Sequence, residues 1–125
     1  MGGNPIVRAI KGVQRVKHNM YCLVIKWDYE YEKEGTWFDN DSGEDRYAFL
    51  EGASYPLPHI KEKSLEIRSV TYDSDTVKAE LYVDCHTVTV SNVGDPVTVH
   101  ASNSYSVCGD CVHQSLSLKI VIEKQ

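Results

Sequence analysis

The chain has 125 residues, with 13 Lys and Arg against 18 Asp and Glu and a formal net charge of −5. That length suits one domain, since domains commonly run about 100–150 residues, and 42% hydrophobic with 25% charged residues excludes wholesale disorder. The acidic balance excludes the broad basic surface that general nucleic-acid binding uses, and the longest unbroken apolar run, Met20 to Ile25, falls far short of the roughly 20 residues of a membrane helix.

Residues 1–19 read as a basic helical segment ahead of a β domain over 20–125. Asn4-Pro5 suits a helix start, because Asn caps well and Pro gives up only an N–H that has no intrahelical partner. Ile6, Ala9, Ile10, Val13 and Val16 then recur at helical spacing, with Arg8, Lys11 and Arg15 mostly on the opposite face. No secretory signal is visible, because charge or Gly interrupts every apolar pair in this stretch. A cytoplasmic protein with reduced cysteines is therefore expected.

From Met20 the period becomes two. Tyr21, Leu23, Ile25, Trp27, Tyr29 and Tyr31 share one face of a strand, and Cys22, Val24, Lys26, Asp28, Glu30 and Glu32 share the other. The first half is apolar on both faces and should be central, while the second half should emerge toward solvent. Residues 33–45 read as an acidic loop broken by Gly35, Asn40, Ser42 and Gly43. A short strand is expected over 46–50, and residues 51–63, with Pro56 and Pro58, should be irregular.

The rest alternates in short strands. Leu65 and Ile67 precede a turn at Asp73-Ser74-Asp75, and Val77, Ala79, Leu81 and Val83 follow. Near Cys85 the apolar positions change parity to His86, Val88 and Val90, which calls for a bulge or tight turn. A turn over 92–95 leads to Val97, Val99 and Ala101, and Leu116, Leu118, Ile120 and Ile122 close the chain. The pattern predicts a mostly-β fold: an antiparallel sandwich or small barrel, in a single domain, preceded by the short helix.

The charge is zoned along this fold. Residues 1–26 carry +5, residues 27–51 carry −7 and residues 52–125 carry −3. Such asymmetry can steer a partner or hold two copies together.

Cys108-Gly109-Asp110-Cys111 is the sharpest motif. It reads as a hairpin around a two-residue Gly109-Asp110 turn, with the two thiols facing each other across it. It could also hold zinc, with His113 or Cys85 completing the set, or close as a disulfide in an oxidising compartment. Strong zinc motifs carry two such pairs and this chain has one, so no cofactor is expected, and zinc is the one candidate the residues leave open. The stretch Asp39 to Asp45 fails the EF-hand calcium pattern in either register, because Gly and the distal Glu do not fall at their required places. There is no His-Glu-x-x-His, no Gly-x-Ser-x-Gly and no phosphate-cradling Gly-rich loop. Cys22 or Cys85 with a distant His is no more than a pair of residue types.

Aromatic residues crowd between Trp27 and Tyr55. They serve either as core or as a stacking platform. The expectation is a non-enzymatic protein that recognises or sequesters a small, anionic or nucleotide-like ligand, as a homo-oligomer. Trp27, Tyr29, Tyr31, Trp37 and Tyr47 would make contact, and Arg8, Arg15 or Arg46 would clamp the anionic group. Three alternatives stand beside it: an acidic interaction or inhibitor module that uses residues 28–45 against a basic partner protein, a zinc-stabilised β protein, and an extracellular carbohydrate-binding sandwich. Neither a membrane nor general nucleic acid is an expected partner.

Overall fold

A computed structural model describes residues 20–34 and 37–125, and the backbone alone of Trp37. The predicted N-terminal helix lies outside the described residues, as do Arg8 and Arg15. The described part is all β. Eight strands run in order: β1 (Tyr21–Lys33), β2 (Trp37–Ala48), β3 (Ser54–Leu57), β4 (Ile60–Asp73), β5 (Thr76–Val83), β6 (His86–Ser91), β7 (Val97–Val107) and β8 (Asp110–Lys124). They form two four-stranded antiparallel sheets, ordered β2-β1-β8-β7 and β3-β4-β5-β6.

Chain order explains this layout. The β1–β2 hairpin starts the first sheet, residues 49–53 cross to the second sheet, and β3 to β6 complete that sheet as a meander. Residues 92–96 then return the chain, and β8 pairs with β1 along its whole length, from Tyr21↔Lys124 to Lys33↔Val112. Alternation supplies the core. The odd positions Leu23, Ile25 and Tyr29 of β1 meet Leu116, Leu118 and Ile120 of β8 in one apolar cluster with Leu65, Ile67, Val77, Leu81 and Val83 of the second sheet. Phe49, on the crossing segment, is fully buried in the same cluster.

Strand β1 is central as expected, with β2 on one side and β8 on the other. The parity change at Cys85 is a two-residue turn. Val83 pairs with His86, and Asp84 and Cys85 both take left-handed φ, 45° and 65°. Two positive φ values are what a tight antiparallel hairpin needs to match strand twist.

Three expectations are corrected. Residues 33–45 are not a loop. Lys33 closes β1, and β2 begins at Trp37 and pairs with β1 residue for residue up to Cys22↔Ala48. Because β2 is an edge strand, its backbone pairs on one side while charged side chains stay in water, so it carries no apolar alternation to read. The short strand expected over 46–50 is only the end of β2, which stops at Ala48. Residues 51–63 are not wholly irregular either, since β3 spans Ser54–Leu57 and β4 starts at Ile60. Pro56 is tolerated because β3 is also an edge, and the register shifts there between Pro56 and Leu57.

Candidate functional site

The first sheet turns one face to the core and the other outward, and the registers lay out the outward rows. Phe38 of β2, Glu32 of β1, His113 of β8 and Ser104 of β7 lie side by side. The next row is Asn40, Glu30, Ser115 and Ser102, and the third is Ser42, Asp28, Ser117 and His100. Three carboxylates thus descend β1 between β8 and the edge strand β2, while Asp39 and Asp41, opposite Tyr31 and Tyr29, take the other, inward parity of that edge. Asp28, Glu30, Glu32 and Asp39 are exposed. None of the four has a hydrogen bond or ion pair among the described residues. Phe38 stands 66% exposed at the corner of this face.

Two depressions open here. One, of about 200 Å³, is walled by Glu30, Tyr31, Glu32, Phe38, Asp39 and Asn40, with His113 and Ser115 at its margin. The other, of about 610 Å³ and wide open, is bounded by Asp28, Tyr29, Glu30, Asn40, Asp41 and Ser42. They share Glu30 and Asn40, so they form one continuous acidic surface. Among the described residues neither depression is lined by Lys or Arg, and His113 lines the first.

Beneath this surface a polar and aromatic cluster joins the two sheets. His59 sits in the β3–β4 turn with φ 60°. Its ring stacks on Tyr29 at 4.3 Å and 15°, and meets Trp27 edge-on at 5.4 Å. Its Nε2 lies 2.8 Å from Asp41 Oδ2 on β2. That bond, followed by the Ser42 N–H, holds the Asp41 carboxyl below its ordinary value. Tyr29 is buried, and its hydroxyl accepts a 2.8 Å bond from Gln114 Nε2. The Gln114 carbonyl in turn accepts from Asn103 Nδ2 at 3.0 Å. The second sheet's turn is therefore fastened to the β1–β2 hairpin through named bonds.

The predicted ligand contacts separate. Tyr31 and Tyr29 border the depressions, though Tyr29 is only 6% exposed and engaged on its face and its hydroxyl. Trp27 is half-buried over Gly43, and Tyr47 stacks on Tyr55 at 4.4 Å. Neither borders the acidic surface. Burial, followed by Asp45, pushes the Tyr47 hydroxyl up to about 12. Trp37 lies on β2 opposite Lys33. Arg46 points elsewhere, with Nη2 3.2 Å from Glu123 and Nη1 3.6 Å from Cys22 Sγ.

The Cys108 motif folds as a hairpin, but its register differs from the expected one. Val107 pairs with Asp110, so the loop residues are Cys108 and Gly109, with φ 51° and 85°. Cys111 lies opposite Ser106 rather than opposite Cys108. Both thiols are free and exposed, Cys85 belongs to a turn of the other sheet, and His113 Nδ1 lies 2.9 Å from Ser104 Oγ. Among the described residues no three His, Cys, Asp or Glu side chains are grouped to hold a metal ion. Among the same residues no helix is long and apolar enough to cross a membrane.

Sequence reasoning missed His59, Gln114 and Asn103. Pro56 and Pro58 around a turn were the only available hint for His59. Gln114 sits at a core-facing position of an alternating strand, where a polar residue signals a buried bond. No family model, curated protein or solved structure matches the chain.

Proposed function

We propose that this is a non-enzymatic binding protein whose β1–β2 face receives a cationic partner, a Lys/Arg-rich protein segment. One observation carries this reading. The two adjoining depressions are walled by Asp28, Glu30, Glu32 and Asp39, none of which makes an ion pair among the described residues. Unpaired like charges on one face repel one another and attract a complementary surface, which favours fast, salt-sensitive association. Exposed Phe38 offers an apolar anchor beside them. The small-anion reading has less support, because the carboxylates would oppose the ligand and the aromatic residues chosen for it are largely committed to packing. A two-sheet sandwich suits the proposed role, with rigid strands presenting the face and no catalytic constellation required.

The test is calorimetric titration of the full chain with synthetic Lys/Arg-rich peptides against a panel of small anions. The expected result is peptide binding that weakens with added salt and is lost in a Glu30→Gln, Glu32→Gln, Asp39→Asn variant. Equal peptide affinity in that variant, or binding of an anion and no peptide, overturns the proposal.

A further inference from the structure

Among the described residues the two sheets end in four edge strands, β2 and β7 on the first and β3 and β6 on the second. Three of these edges are blunted. Strand β3 has four residues and contains Pro56, where the register shifts. Strand β6 has only six residues. Strand β7 is longer, but the Ser102 amide, midway along it, donates at 3.1 Å to Asp84 Oδ2 from the β5–β6 turn, and Lys63 holds the other oxygen of that carboxylate. Short length, proline and a cover from elsewhere in the fold are usual ways of closing an edge. Strand β2 has none of them. It pairs with β1 over twelve residues without a shift of register, contains no proline, and is exposed at five successive positions, Phe38 to Ser42, on both of its faces. About five residues is the usual length of a strand.

We propose that the β2 edge takes up the cationic segment as an added strand, paired to Phe38–Gly43 through the backbone and carrying a base at every second residue. This rests on the cationic-partner reading and adds to it the mode of contact and the spacing of the bases. In strand addition the main chain supplies affinity and alternate side chains supply specificity. The outward side chains of the added strand fall beside Phe38, Asn40 and Ser42, in line with Glu32, Glu30 and Asp28 of β1. The added strand stands two strand spacings, about 10 Å, from β1, and the Asn40 and Ser42 side chains between them are short. Long Lys or Arg side chains can therefore lie across β2 to those carboxylates, and the one beside Phe38 meets an aromatic face. The inward positions meet Asp39, Asp41 and Gly43. Here the indole Nε1 of Trp27 is buried without a hydrogen-bond partner among the described residues, and it lies 3.1 Å from where a Cβ of Gly43 would be. Buried donors are nearly always paired. The missing side chain of Gly43 leaves a way over β2 by which a hydroxyl of the added strand can approach that N–H. Bases at alternate positions, with Thr or Ser between them, are the pattern this edge fits.

The test is calorimetric titration of the full chain with a short peptide of alternating lysine and threonine, and with two copies N-methylated on the backbone, one at the lysines and one at the threonines. Whichever way the peptide runs, only one of these sets of N–H groups faces β2. Methylation of that set should weaken binding about 10-fold or more, and methylation of the other should change it by less than about twofold. Charge is the same in all three peptides. Equal binding by all three, or equal loss in both methylated copies, therefore overturns strand addition and leaves the cationic-partner reading standing. A peptide of the same composition with its lysines in one block should bind more weakly than the alternating one, and equal affinity overturns the spacing of the bases. Binding by none of the peptides overturns the cationic-partner reading and the added strand together.

Discussion

Gly43 and Trp27 face each other across the β1–β2 hairpin, and the indole lies over the glycine. A Cβ at position 43 would fall 2.6 Å from Trp27 Cζ2 and 2.8 Å from Cε2, closer than such contacts can be. The ring cannot retreat cheaply, because it is also held edge-on to His59. Gly43 has no left-handed φ, so the backbone itself would accept Ala. Two opposed terms follow for Gly43→Ala. Removing a flexible glycine from the unfolded chain stabilises by roughly 0.5–1 kcal/mol. Overpacking against a held ring costs about 1–3 kcal/mol. The net expectation is a loss of about 1–2 kcal/mol, or roughly 3–8 °C in melting temperature for a domain of this size. In a Trp27→Val background the clash is gone and only the entropic term remains, so the same substitution should become neutral or stabilising by about 0.5–1 kcal/mol. Thermal and denaturant unfolding of the four chains in this cycle measures both numbers. If Ala at position 43 is equally harmful with and without Trp27, or harmless in both, the packing argument is refuted.

Two further outcomes are expected. Tyr29→Phe leaves the buried Gln114 Nε2 with only the long 3.4 Å contact to the His59 carbonyl, and should cost about 1–2 kcal/mol in guanidinium unfolding; an unchanged midpoint would mean the bond contributes nothing. The Asp41 carboxyl titrates in the folded chain below its ordinary 3.8, so the unfolded chain binds more protons across that acid range. The stabilisation is therefore present above the ordinary value and is lost as pH falls through the folded one. Asp41→Asn should lower the unfolding midpoint at about pH 5–6, with the gap closing in acid, and a gap that does not vary with pH refutes the assignment.

Much of the fold was legible because two-residue turns leave an arithmetic trace. When residues i and i+3 pair, the inward parity must change across the turn. It does so from Val83 to Val90 across Asp84-Cys85, and from Ala101 to Leu116 across Cys108-Gly109. The same arithmetic could not place the second turn. A Cys108–Cys111 pairing and the observed Val107–Asp110 pairing keep the same residues inward, so apolar parity fits both. Strand β2 was illegible for a different reason. Its pairing is made by backbone atoms and its inward Asp39, Asp41 and Asp45 are polar, so no side-chain period announces it. The acidic charge of the site was visible in the sequence, but its geometry was not. The loop reading left Asp39 and Asp41 in solvent, whereas pairing with β1 sets them opposite Tyr31 and Tyr29 at the rim of the edge strand, with Glu30 and Glu32 on the other parity.

That pairing also bears on self-association. Among the described residues strand β2 is an edge of its sheet, and its twelve residues are a length that invites another strand. A second copy of the same edge would bring Asp39, Asp41, Glu44 and Asp45 against their own counterparts, with Arg46 as the single base among them. Like charges directly across a strand pair destabilise it. The edge is therefore guarded against its own kind by the same carboxylates that would draw in a cationic strand. One set of residues can exclude the homotypic contact and select the heterotypic one, because both outcomes depend on the sign of the charge across the same ladder.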